Sequence, residues 1–156
     1  MINNSTEKSY VVGMDIGGTN TVFGIVDARG NILCHDCVKT QAYPTIEEYL
    51  DAVCEKLLPM IREQVDFENI KGLGIGAPNG NYYSGCIEQA ANLPWKGVVP
   101  IASMFSAKTG LPTVLTNDAK AAAIGEMTYG AARGMKDFIM ITLGTGVGSG
   151  VVVNGQ

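Results

Sequence analysis

Polar and apolar positions alternate or gather in short blocks along the first forty residues, the period-two signature of strands. Tyr10-Val11-Val12-Gly13-Met14-Asp15-Ile16 predicts a buried strand and Thr21-Val22-Phe23-Gly24-Ile25-Val26-Asp27 a second, joined by Gly17-Gly18-Thr19-Asn20. Ala28-Arg29-Gly30-Asn31 turns the chain into a third run that begins Ile32-Leu33-Cys34. Three strands on short glycine-bearing turns predict an antiparallel meander. The period then changes. Ile46, Tyr49, Leu50, Val53, Leu57 and Ile61 recur at close to the helical repeat, behind a Thr45/Glu48 capping box that follows Pro44. Pro59 is expected to bend this helix or to end its first part.

Ile70 to Ala77 alternates glycine with apolar residues and predicts a central strand, which Pro78 stops. Residues 79–98 are rich in Asn, Gly and Tyr and predict an irregular segment, long enough to suggest a function of its own. Pro100 to Lys108 predicts a short helix with Gly110 and Pro112 as stop signals, and Thr113-Val114-Leu115-Thr116 the next strand. Asn117-Asp118 then opens a small-residue helix over Ala119 to Tyr129, closed by Gly130; its alanines permit a very close approach by whatever covers it. Phe138 to Leu143 predicts a strand, Gly144-Thr145-Gly146 a turn, and Val147 to Val153 a returning strand. This ending repeats the order of the first hairpin, which suggests an internal duplication. The expected organisation is an α/β lobe over 1–131 and the opening hairpin of a second, truncated lobe over 132–156.

Composition narrows the function classes. Of 156 residues, 46% are hydrophobic and 17% charged, which excludes a disordered chain. The net charge of -4 and the single scattering of basic residues argue against nucleic acid and acidic membranes as partners. No apolar run approaches the length of a membrane helix, and the N-terminus carries no signal pattern, so a cytoplasmic protein is expected. Cys34, Cys37, Cys54 and Cys86 form no disulfide framework. Cys34 and Cys37 have metal-like spacing but lie in a strand-like run, where residues three apart point to opposite faces. They are read as structural thiols.

Four stretches could carry chemistry. In Asp15-Ile16-Gly17-Gly18-Thr19-Asn20, successive backbone N–H groups at the glycines can cradle phosphate oxygens, Thr19 adds a hydroxyl, and Asp15 suits Mg²⁺ held through water. The same residues also read as a tight hairpin whose aspartate holds the turn. In Leu143-Gly144-Thr145-Gly146-Val147-Gly148-Ser149-Gly150, alternate glycines strip one strand face for close approach by a backbone or a phosphate chain. Asp118 is either an ordinary helix N-cap or a base at the C-terminal end of a strand, facing a ligand crevice. Asn79, Gly80, Asn81 and Asn92-Leu93-Pro94-Trp95 offer amides and an aromatic face of the kind a sugar needs; the alternative is a wet loop with a packed tryptophan.

In their order along the chain these stretches resemble the ROK family of sugar kinases and sugar-responsive repressors, especially its bacterial glucokinases. The resemblance is carried by Asp15 to Asn20, Gly74-Ile75-Gly76-Ala77-Pro78, Asn92-Leu93-Pro94-Trp95, Asn117-Asp118-Ala119 with Ala121-Ala122-Ala123, and Leu143 to Gly148. It implies the actin-like, ribonuclease-H-like ATPase fold, a mixed sheet flanked by helices, with ATP and sugar in a cleft between two lobes. Asp118 would be the base that takes the proton of the sugar 6-hydroxyl. Asn117, Asn92 and Asn79 would bind sugar hydroxyls beside it. Gly17, Gly18, Thr19 and Asn20 would face the phosphates from one lobe and Gly144, Thr145 and Gly146 from the other, with Asp15 placing Mg²⁺.

Two positions depart from the family pattern: Asn79 stands where a glycine is usual and Lys120 where an asparagine is usual. The family's Glu-x-x-Gly-His sugar motif and cysteine-rich zinc motif belong to its second lobe and do not occur here, so zinc is not carried over. The leading expectation is an ATP-dependent hexokinase of glucose type, the isolated lobe being inactive. Kinases for N-acetylmannosamine, N-acetylglucosamine, fructose or allose share most of these motifs, and polyphosphate is an alternative donor. A repressor of the family would carry a helix-turn-helix segment, for which the 14 residues before Asp15 are too few and too polar. A non-enzymatic sugar-binding module is the third reading. The family's dimers and tetramers form through the second lobe, so a homo-oligomer is admitted for the full-length protein.

Overall fold

The computed structural model describes residues 9–143 and 146–156. Strands β1 (Tyr10–Ile16), β2 (Asn20–Asp27) and β3 (Ile32–Lys39) form the expected antiparallel meander. Helix α1 (Ile46–Gln64) carries the chain back to β4 (Ile70–Ala77), which pairs parallel to β1. Short strands β5 (Gly80–Asn81), β6 (Cys86–Glu88) and β7 (Val98–Val99) follow, then α2 (Ile101–Thr109), β8 (Thr113–Asn117) and α3 (Asp118–Tyr129). The main sheet has the order β3-β2-β1-β4-β8, so β1 is central and β8 lies at the edge. Strands β9 (Phe138–Leu143) and β10 (Val147–Val152) make a separate antiparallel pair.

The period-two pattern of β1 decides where chemistry can sit. Val12, Met14 and Ile16 are buried on the side that α1 and α2 cover, which turns Asp15 to the opposite, open face. The buried side is continuous: Tyr49 of α1 packs at 4.4 Å between ring centroids on Trp95 and at 6.3 Å on Phe105 of α2. The Tyr49 hydroxyl shares a hydrogen bond of 2.8 Å with Thr21, which in turn meets Thr40 at 3.0 Å. Burial pushes the Tyr49 phenol well above its usual range, so it stays a neutral link in this network.

Three expectations are corrected. Pro59 does not end the first part of α1, which runs through it as one element. Pro59 lies on the exposed face, where the carbonyl left without its donor can meet water, while Leu57 and Ile61 stay buried on either side. Residues 79–98 are not wholly irregular, because β5, β6 and β7 form a small three-stranded sheet. Asparagine side chains organise it: Asn79 adopts φ 53° and its Nδ2 donates to the carbonyls of Glu88 at 3.0 Å and Gln89 at 3.3 Å. Finally, Asn117 and not Asp118 caps α3, its Oδ1 accepting from the Lys120 N–H at 3.2 Å.

The alternating glycines of β10 serve close approach between backbones. A methyl at Gly150 would lie 2.5 Å from the Ala123 Cβ and 2.9 Å from the Ala119 carbonyl oxygen, and one at Gly148 would lie 3.1 Å from the Ala119 Cβ. Helix α3 is thereby clasped between the main sheet, where Gly76 faces Ala121, and the β9–β10 pair.

Candidate active site

One cleft is lined by Asp15, Gly17, Gly18 and Thr19, by Asn79 and Asn92, by Asn117 and Asp118, and by Gly146 to Ser149. Residues from four separate stretches of sequence thus converge. Gly144 and Thr145 lie outside the described residues.

The turn after β1 is held from behind. The Gly17 N–H donates to the Asn20 carbonyl at 3.0 Å, and the Thr19 carbonyl accepts from the Thr40 N–H at 2.9 Å. The Gly18 carbonyl accepts from the Gln41 Nε2 at 2.6 Å. Among the described residues the Gly18 and Thr19 N–H groups find no protein acceptor, which leaves two donors in a turn that borders the cleft. Gly18 has a second use that sequence reasoning missed. A methyl there would sit 3.1 Å from the Asn92 carbonyl oxygen and 3.3 Å from the Asn92 Cβ, so the missing side chain lets the 92–95 loop lie against the turn.

Of the amides expected in the cleft, Asn92 lines it with its side chain uncommitted to any described residue. Asn117 spends its oxygen on the α3 cap and keeps its Nδ2. Asn79 spends its Nδ2 on the small sheet and keeps its oxygen. Its left-handed backbone explains why a glycine suits this position and why asparagine, which tolerates that region, can replace it. Trp95 does not face the cleft: it is 6% exposed, and its Nε1 donates to the Tyr43 carbonyl at 3.2 Å. Exposed aromatic residues at the cleft are Tyr82 of the β5–β6 turn and Tyr129 at the end of α3, which no motif singled out.

Asp118 begins α3 at the end of β8, with its carboxylate exposed to the cleft. One oxygen accepts from the Ala119 N–H at 2.8 Å, and the other has no partner among the described residues. The first turn of a helix is a favourable place for negative charge, so the scaffold can hold this carboxylate without a cationic partner. Asp15 stands across from it. Desolvation by the surrounding lobe, and then the Asp118 charge, push the Asp15 carboxyl above its usual range. Asp15, with no side-chain hydrogen bond among the described residues, is the carboxylate that would hold a hydrated divalent cation here. No group of three or more His, Cys, Asp or Glu among the described residues forms an all-protein metal cage.

Gln41 is the contact residue that sequence reasoning overlooked. Its Nε2 donates to the Gly18 carbonyl and, at 3.0 Å, to the Asn92 carbonyl. Its only signal is its place directly after β3, beside the buried Thr40.

A mixed sheet with a glycine turn and a carboxylate at the end of its first strand, facing a second hairpin across a cleft, defines the actin-like ATPase fold. Within that fold the chain belongs to the ROK family, whose model matches residues 11–156. The glucokinase of Streptomyces coelicolor is 35% identical over 146 residues, covering 93% of this chain and 44% of that protein. The glucokinase of Thermotoga maritima is 34% identical over 149 residues, covering 95% and 46%. The crystal structure of a ROK family glucokinase from Streptomyces griseus, in complex with glucose and AMPPNP, superposes with a TM-score of 0.81 and 37% identity, covering 95% of this chain and 46% of that one. The chain therefore spans about half the length of the relatives it matches.

Proposed function

We propose that this chain is the N-terminal lobe, 1–131, and the opening hairpin of the second lobe, 132–156, of a cytoplasmic, ATP-dependent sugar kinase that phosphorylates a hexose on its 6-hydroxyl, glucose being the first candidate. One observation carries the reading: a carboxylate with a free oxygen, Asp118, shares a cleft with a turn that offers unpaired backbone donors. The identity to glucokinases supports the substrate class. Among the described residues no helix is long and apolar enough to cross a membrane.

The chemistry follows from the placement. Asn117 and Asn92, and Asn79 through its oxygen, hold hydroxyls of the hexose beside Asp118. The free Asp118 oxygen takes the proton of the 6-hydroxyl as the hydroxyl oxygen of the sugar forms a bond to the γ-phosphorus of ATP. The bond from the γ-phosphorus to the bridging oxygen breaks, and ADP leaves with the electron pair. The Gly18 and Thr19 amides, the Thr19 hydroxyl and Asn20 face the phosphates from this lobe, and Gly146 of the hairpin borders the same cleft. Asp15 would hold Mg²⁺ through water, where the ion supplies neutralisation of phosphate charge.

A second reading of the substrate has its own observation. Asn79 and Lys120, the two departures from the family pattern, line one side cavity of about 500 Å³ together with Tyr82, Glu88 and Thr116. Asn79 and Tyr82 also line the main cleft. A substituted hexose, such as an N-acetylated one, would place its substituent there.

A panel of hexoses with ATP and Mg²⁺, read by ADP release and by the mass of the product, tests both readings on the whole enzyme. A gain of one phosphoryl group on glucose supports the first, and a preference for an N-acetylhexosamine supports the second. ADP release that no sugar stimulates would contradict the kinase assignment.

A further inference from the structure

Resting on the sugar-kinase reading, we propose that Gln41 is a positioning residue whose one side-chain amide couples the phosphate turn to the sugar loop, so that hexose and nucleotide bind cooperatively. The geometry is a three-way junction. Both hydrogens of the Gln41 Nε2 are used, one on the Gly18 carbonyl at 2.6 Å and one on the Asn92 carbonyl at 3.0 Å. Neither carbonyl has another protein donor among the described residues. Gly18, lacking a side chain, leaves no spacer between the two segments.

The junction is anchored at its base. Gln41 lies in the short helical turn Thr40–Ala42, and the preceding Thr40 is buried. The Thr40 N–H donates to the Thr19 carbonyl, and its hydroxyl joins the buried Thr21–Tyr49 network. The backbone leading into Gln41 is therefore fixed to the core, while its exposed side chain carries the amide across the two segments. If either segment moves alone, one of the two hydrogen bonds breaks. A hexose that settles Asn92 thereby settles Gly18 and the free amide that follows it, and phosphate on the turn does the converse. Linkage requires the coupling to be the same in both directions.

The chemistry of residue 41 separates this role from simple packing. Gln41→Glu keeps the shape but brings no hydrogens and sets a negative charge against two carbonyl oxygens. Gln41→Lys changes the shape but keeps donors for both carbonyls. The test is hexose affinity of the whole enzyme, measured by titration calorimetry with and without a non-hydrolysable ATP analogue, using the sugar that the panel selects. The wild type should bind hexose more tightly with the analogue present, by about 5-fold or more. Gln41→Glu should bring that ratio close to one and lower kcat by more than it raises KM for the sugar. Gln41→Lys should retain most of the ratio.

A Gln41→Glu protein with the wild-type ratio would overturn the proposal, as would equal loss in Gln41→Glu and Gln41→Lys. A wild type that binds both ligands without coupling overturns this inference and leaves the kinase reading standing; a wild type that binds no hexose overturns both. Should Gln41→Glu fail to fold, Gln41→Ala, which leaves both carbonyls to water, serves for the same comparison.

Discussion

Asp15 sits on the open face of β1 only because Met14 and Ile16 on either side of it point into the core. Its raised pKa, caused by desolvation and then by Asp118, means that the folded chain favours the protonated form. The ionised carboxylate therefore costs stability near neutral pH. That cost is absent below the unfolded value of 3.8, where the residue is protonated in both states, and it grows as pH rises through the higher folded value. Replacing Asp15 with Asn should raise the melting temperature of the unliganded protein at pH 7 and lose that advantage at pH 3.5. Thermal melts across that range check it. The same variant should weaken Mg²⁺–ATP binding, since a neutral amide attracts a hydrated cation less.

Among the elements, α3 is the piece on which the cleft depends. It presents Asp118, packs Ala121 against Gly76 of the main sheet, and packs Ala119 and Ala123 against the glycines of β10. Gly150→Ala would force a methyl into the Ala123 contact and should cost about 1–3 kcal/mol. In a chain of this size that lowers the melting temperature by about 2–4 °C for each kcal/mol, which a thermal melt measures directly.

This level of organisation was largely legible in the sequence where local pattern and packing agree. The capping box of α1, the meander turns and the small-residue face of α3 each point one way. Where two residue types do the same work, the sequence could not decide: Asn117 and Asp118 are equally good caps by chemistry, and only the backbone of Asn117 selects it. The β5–β6–β7 sheet was illegible for a different reason. Its strands are two or three residues long, and side chains of Asn79 and Asn81 make bonds that no periodicity records.

At the scale of the whole molecule, the cleft joins stretches that lie far apart in sequence. Asp15, Gly17, Gly18, Thr19, Asn79, Asn92, Asn117 and Asp118, which line it, were legible as a set in their order along the chain, whereas Tyr82 was not. Trp95 stayed open between a sugar face and a packed tryptophan, because an aromatic beside asparagines reads alike whether it points to a ligand or, as it does, to Tyr49. Gln41 was invisible because a side chain that bridges two carbonyls leaves no trace in residue spacing.

The role of Asp118 as the base is tested by Asp118→Asn in the whole enzyme. The amide keeps an oxygen for the Ala119 N–H and loses the ability to accept a proton at neutral pH. The expected kcat is about 10²–10⁴ lower, with hexose affinity, measured by calorimetry, changed far less. A kcat near that of the wild type would contradict it.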